Sequence, residues 1–144
     1  MTKNFSSRMT RIGELLVHNA QETIKQAALA GTEEAVMNTP VKTGNARTNW
    51  RISFGRPSTT LIDAPGTPDV GVNRETASAR ALIEASNKIA KWKIGSGNIY
   101  IGNPVDYILE LDRGSSRQAM EGMSVFAIEA ARDVLRKGRL LRGH

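Results

Sequence analysis

The chain has 144 residues, a length that suits one domain, and it contains no cysteine, which excludes disulfide bonds, thiolate metal sites and cysteine nucleophiles. Twenty Lys and Arg against fourteen Asp and Glu give a formal net charge of +6, which favours acidic partners, nucleic acid first among them. Aromatic residues make up only 5% of the chain. The core must therefore depend on aliphatic and alanine contacts, and partner subunits often complete such a core.

The first part of the chain predicts a long amphipathic helix over residues 4–37. Apolar residues recur there every three or four positions, at Phe5, Met9, Ile12, Leu16, Ala20, Ile24 and Ala27. Pro40 ends the pattern, because the residue before a proline avoids helical angles. A helix of this length is long for a small domain, so we expect part of its apolar stripe to pack on another subunit. Gly13 and Gly31 either weaken the helix locally or let another backbone approach closely.

The middle of the chain predicts a hinge, a strand and a long loop. A short helical turn over 45–49 follows the turn-rich residues 39–44. Apolar residues then alternate with polar ones over 50–54, which indicates a half-buried strand. Prolines and glycines punctuate 57–73 without any helical period, and we expect this loop to extend outward and touch a neighbour.

The last part of the chain predicts two helices and one strand. The helices lie at about 75–92 and from Met123 to near Lys137, and the strand at 99–101. The glycines at 95–97 follow a helix and precede a strand, so they form a connector, whereas a phosphate-binding loop runs from strand to helix. We therefore expect one α+β domain over 1–144, in which a long N-terminal helix and two further helices pack on a small, mainly antiparallel sheet, with a long extended loop.

The search for catalytic and metal-binding residues yields no candidate. His18 and His144 are the only histidines, and a zinc site needs three or four ligands. The serines after Gly114 lack the turn motif of a hydrolase nucleophile. Spacing cannot exclude a pair of carboxylates, but Glu33-Glu34 and Glu110 with Asp112 are interpreted as ordinary exposed charges. We therefore predict no enzyme, no cofactor and no metal, and no apolar run is long enough to suggest a membrane partner.

The C-terminal segment 132–144 is predicted to be a basic tail. Its candidate partner contacts are Arg136, Lys137, Arg139 and Arg142. The segment is either solvated or in contact with an acidic protein or DNA. The triplet Lys91-Trp92-Lys93 interleaves bases with an aromatic, as nucleic-acid stacking surfaces do, but a helix end with a packed indole explains it equally well.

Two stretches carry a family resemblance. They are TPVKTGNARTNW at 39–50 and NIYIGNPVDYILELDRGSSRQA at 98–119. In order and spacing they resemble the tail-completion (neck, or minor tail) proteins of long-tailed bacteriophages. The residues that match the family pattern are Pro40, Thr43, Gly44, Trp50, Tyr107, Gly114, Ser115 and Gln118. The family has a proline after its Gln-Ala pair where this chain has Met120, so that pattern leaves the start of the last helix open.

The resemblance implies a structural virion protein, made in the cytoplasm of a host bacterium and located in the neck of the particle. It would form a homo-oligomeric ring, six-fold by family analogy and twelve-fold next, between the head connector or stopper and the tail terminator or tube. Genomic DNA would pass through its lumen, so we expect the basic residues to lie away from the pore. The alternative, favoured by the net charge, is a small basic nucleic-acid-binding protein.

Overall fold

The structure, a computed structural model, describes residues 2–39, 45–61, 74–113 and 122–138. This part of the chain contains five helices and two strands. In order they are α1 Thr2–Met37, α2 Asn45–Thr48, β1 Arg51–Phe54, α3 Arg74–Ile89, β2 Ile99–Gly102, α4 Ile108–Asp112 and α5 Met123–Lys137. The predicted α+β fold is confirmed, with a long N-terminal helix and a small antiparallel sheet.

The sheet is a two-stranded antiparallel pair that packs against helices. Ile52 of β1 lies opposite Ile101 of β2, and Phe54 lies opposite Ile99. Ile52 is 5% exposed, as its alternation with polar neighbours predicts for a half-buried strand. It belongs to a core cluster with two residues of α3 and the buried indole of Trp92. The sheet is thus held by the helices around it, since a lone hairpin is at best marginally stable in water.

A second core cluster lies where α1, α3 and α5 meet. Ala35 and Val36 of α1, Ala81 of α3 and Met123 of α5 pack there around Trp50. Three of these five side chains are alanine or valine, so the helices approach one another closely. Both tryptophans are buried, one in each cluster. These two indoles are the large anchors of a core made mainly of small aliphatic side chains.

Helices α1 and α5 pack closely, and Gly31 lies at their contact. A Cβ atom on Gly31 would lie 3.2 Å from the Ala127 carbonyl oxygen and 3.5 Å from the Ala131 Cβ. Further along, Gly138 at the end of α5 lies against Thr23 of α1. The expectation that Gly31 lets another backbone approach is therefore confirmed. Gly13 has no neighbour within 4 Å, so its effect is confined to the helix itself.

The two halves of α1 differ in burial. In the inner half, residues 19–37, Ala27, Ala28, Ala35 and Val36 are buried. In the outer half, residues 4–18, every side chain from Asn4 to Glu14 is exposed. The predicted stripe thus exists as a helical face, but the described residues of this chain cover only its inner part.

Three other predictions need correction or completion. The segment 132–144 is not a tail from its start, because Arg132 to Lys137 are helical residues of α5. The elements predicted for the last part of the chain did not include the five-residue helix α4. Of the predicted loop 57–73, residues 57–61 form neither helix nor strand, and 62–73 lie outside the described residues.

Candidate assembly surfaces and the motif that positions them

The first stretch of the family resemblance forms a buried hydrogen-bond network around Arg47. The Arg47 side chain is 2% exposed. Its guanidinium donates to the Thr39 carbonyl oxygen from Nε at 3.2 Å and from Nη2 at 2.6 Å, and to the Met37 carbonyl oxygen at 3.1 Å. Carbonyls at a helix C-terminus lack intrahelical donors and carry partial negative charge. Arg47 therefore caps α1 with a charged group, and its bond to Ser78 Oγ at 3.0 Å joins this cap to α3.

Trp50 completes the network from the other side of Thr39. Its indole Nε1 donates to Thr39 Oγ1 at 2.7 Å, and that hydroxyl donates to the Ala35 carbonyl oxygen at 2.5 Å. A buried indole N–H needs such an acceptor, because an unpaired buried donor is costly. Trp50, which directly precedes β1, therefore anchors the strand in the core. The sequence did not lead us to predict Arg47 as a site residue. The available signal was the end of α1, because the last carbonyl oxygens of a helix have no donor within the helix and need one nearby.

The two stretches that carry the resemblance are in contact. Asn103 Nδ2 donates to the Ala46 carbonyl oxygen at 2.6 Å, and Asn45 Nδ2 donates to Tyr107 Oη at 3.4 Å. Tyr107 itself remains 37% exposed. The motif residues of the described region therefore form one joint, which holds the end of α1 against α2, α3 and the turn after β2.

The start of α5 is fixed by a carboxylate from α4. Asp112 Oδ1 accepts from the Ser124 backbone N–H at 2.8 Å, and Oδ2 accepts from the Ser124 hydroxyl at 2.6 Å. Gly122 precedes α5 with φ +68, and a Cβ there would lie 2.5 Å from the Asp112 carbonyl oxygen. The interpretation of Asp112 as an ordinary exposed charge is therefore wrong. Asp112 caps the N-terminus of α5. In the family that the chain resembles a proline stands near this helix start, and this chain lacks it.

The outer half of α1 exposes an ordered apolar face. Phe5, Met9 and Ile12 are 69%, 53% and 43% exposed, and half-buried Leu16 continues their line. Their spacing of four, three and four residues is that of a coiled-coil seam, in which apolar residues recur every 3.5 positions on average. We call these four residues the α1 seam.

Helix α5 exposes a second seam. Val125, Ile128 and Leu135 are 48%, 50% and 50% exposed, and Arg132 stands between the last two. These positions are three, four and three residues apart. At 3.6 residues per turn they lie to one side of Ala127 and Ala131, the residues of α5 that meet Gly31 of α1. We call Val125, Ile128, Arg132 and Leu135 the α5 seam.

The remaining predicted contacts divide between exposed and undescribed positions. Arg136 and Lys137 are exposed in the last turn of α5, where the helix dipole favours cations. Lys137 also forms an ion pair with Asp133 at 2.9 Å. Arg139 and Arg142 lie outside the described residues. The same holds for the motif positions Pro40, Thr43, Gly44, Gly114, Ser115 and Gln118.

Metal, nucleic-acid and membrane sites each require a particular arrangement of the described residues. No group of three His, Cys, Asp or Glu side chains among them could hold a metal ion. The Trp92 indole is 6% exposed and donates to the Gly97 carbonyl oxygen at 3.0 Å, so the Lys91-Trp92-Lys93 triplet offers no ring for base stacking. His18 is exposed on α1. Within the described ranges, no helix combines the length and hydropathy that crossing a membrane requires.

Comparisons with known proteins return no relatives. The chain matches no protein-family model, and no curated protein and no solved structure matches it either.

Proposed function

We propose that this protein is a structural subunit of a phage virion, a tail-completion or neck ring protein that joins the head connector to the tail tube. The proposal starts from the resemblance of 39–50 and 98–119 to that family. In this role the protein contributes contacts to an assembly and catalyses no reaction. Its partners would be further copies of itself and the ring proteins above and below it, with DNA passing through the lumen.

The observation that carries the proposal is the exposure of apolar side chains in regular order on two helices. Single exposed apolar residues are ordinary on any protein, but contiguous apolar faces mark interaction sites. The α1 seam and the α5 seam are such faces, and they lie on different helices. A ring subunit needs two different contact faces, because a head-to-tail contact that closes by rotation uses a different patch on each neighbour.

The joint around Arg47 supports the same proposal. The residues that carry the resemblance hold the end of α1 against α2 and α3, which gives the motif a structural purpose. A subunit that must present a long helix to its neighbour needs the base of that helix held firmly. Arg47, Trp50 and Thr39 provide this in the described part of the chain.

The proposal is tested by the state of the purified protein and by the phage. We expect closed rings in negative-stain electron micrographs, and weak binding to short DNA duplexes at physiological salt. Tight DNA binding by a monomer or dimer, falling steeply as salt rises, would favour the nucleic-acid-binding alternative instead.

The phage that encodes the chain supplies a second test. A nonsense mutation in the gene should leave filled heads and free tails that fail to join. Normal virions from such a mutant, grown in a host without a suppressor, would overturn the proposal. A variant with Ile83→Glu, a charge on an exposed apolar position outside both seams, should still produce virions.

A further inference from the structure

The two seams match each other in length and spacing. At 1.5 Å per residue the α1 seam runs for about 16 Å and the α5 seam for about 15 Å. The first has gaps of four, three and four residues, and the second has gaps of three, four and three. Helices with this spacing pack at a shallow angle, with the side chains of one in the holes of the other.

The seams of one chain cannot pack on each other. Helix α5 already lies alongside the inner half of α1, with Ala127 and Ala131 beside Gly31 and Gly138 beside Thr23, so its seam does not reach the outer half of its own α1. The outer half of α1 is a straight continuation of the same helix, and its side chains from Asn4 to Glu14 are exposed. Any pairing between the two seams must therefore join two copies of the protein.

We propose that the α1 seam of one copy packs on the α5 seam of the next, and that this helix pair is the repeating contact of the assembly. The ring geometry of this contact rests on the proposed function, although the pairing itself would also hold in an open filament. The contact is heterologous, so each copy uses one seam toward each neighbour.

Arg132 gives the contact its specificity. It stands within the α5 seam, where its long aliphatic stem packs on apolar neighbours while its guanidinium reaches the edge of the interface. A single polar residue inside a seam selects register at some cost in affinity. Two helices in contact over about 15 Å bury less than a standard interface of about 1,600 Å². The assembly therefore forms with rising concentration, and ring closure strengthens it.

Cysteine cross-linking tests the pairing, because the natural chain has no cysteine. Ile12→Cys and Ile128→Cys place one thiol near the middle of each seam, so that a short bis-maleimide joins them in either helix orientation. A mixture of the two single variants should give a cross-linked dimer, and neither variant alone should do so. A chain carrying both cysteines should give a ladder of multimers.

Two outcomes of that experiment would overturn the inference. The first is a yield from the mixture no higher than that from Ile12→Cys mixed with Ser86→Cys, an exposed position on α3. The second is efficient cross-linking of Ile12→Cys with itself, which would show that two α1 seams meet.

A charge in the seam gives an independent readout. Ile128→Glu should raise the concentration needed for assembly at least roughly tenfold, since the contact would bury an unpaired carboxylate. Ile83→Glu is the matched control, because Ile83 is 62% exposed on α3 and Ile128 is 50% exposed on α5. Circular dichroism and thermal melting should show both variants folded.

The results separate this inference from the proposed function. Normal rings formed by Ile128→Glu would overturn the seam contact and leave the ring proposal intact. A wild-type protein that stays monomeric at every concentration would overturn the seam contact too. The head-joining phenotype of the phage mutant decides the function independently of either result.

Discussion

The inner and outer halves of α1 belong to one unbroken helix with one apolar stripe, yet their surroundings are opposite. The inner half packs against α3, the sheet and α5, and it ends in the Arg47 cap. The outer half carries the larger apolar side chains, and Phe5, Met9 and Ile12 are all exposed. Periodicity in a sequence thus indicates which face of a helix is apolar, but not which molecule covers that face.

The difference matters for stability as well as for contacts. A helix gains most of its stability from packing of its apolar face, and short isolated helices are marginal in water. The outer half has this support only from the inner half to which it is joined. We therefore expect the two halves to behave differently in the free subunit and alike in the assembly.

Hydrogen exchange gives the largest expected contrast. In a monomer, backbone amides of residues 8–17 should exchange at least roughly a thousandfold faster than those of residues 27–36, because local fraying needs little free energy. Assembly should slow the outer amides and leave the inner ones nearly unchanged. Mass spectrometry of peptides from both halves measures this. Equally slow exchange in both halves of a proven monomer would contradict the comparison.

Replacement of the arginine at the base of the helix gives the next largest effect. Arg47→Met should lower the free energy of unfolding by about 3 kcal/mol, since it leaves the buried Thr39 carbonyl without its charged donor. Arg47→Lys should recover part of this loss, because an ammonium cannot reproduce the fork of the guanidinium. Arg11→Met, on the exposed half, is the control and should change stability by less than about 0.5 kcal/mol. Urea denaturation of the three variants checks the order.

Alanine substitutions at the two glycines of α1 should have the smallest effects on stability, and the two effects should have opposite signs. Gly31→Ala should destabilise by about 1 kcal/mol, because the new Cβ forces Ala127 and Ile101 to shift and so outweighs the gain in helix propensity. Gly13→Ala meets open space and should gain up to about 1 kcal/mol of helix stability. Thermal melting measures the first change and helix content by circular dichroism the second. A stabilising Gly31→Ala would show that α1 and α5 are less closely packed than described.

The sequence was sufficient for the helices and strands other than α4, because their signals are local. The end of α1 before Pro40, the alternation around Ile52 and the period from Met123 to Val134 each depend on neighbours in the chain. These patterns yielded α1, β1 and α5 within one or two residues of their bounds. Helix α3 was predicted to extend to residue 92, but it ends three residues earlier at Ile89, where a turn follows.

The missed features depend on partners that sequence spacing does not reveal. Helix α4 has only five residues, too few to show an apolar period, although its Ile108 and Leu111 pack against the core. Asp112 caps α5 from twelve residues upstream, and Arg47 reaches Ser78 from thirty-one residues away. A charged residue in a motif is usually expected at the surface, and only the folded chain shows that Arg47 is buried.

The contact at Gly31 bears on the geometry of the proposed assembly. Main-chain atoms of α5 lie against the α1 backbone there, so no flexible side chain separates the two axes. Such close packing restricts movement of one helix against the other, so the angle between their seams should vary little. If the seams join neighbouring copies, that angle sets the rotation from one copy to the next and hence the number of copies that closes a circle. A methyl group added at Gly31 would then alter this rotation, and electron micrographs of any rings formed by Gly31→Ala would show whether the number of copies changes.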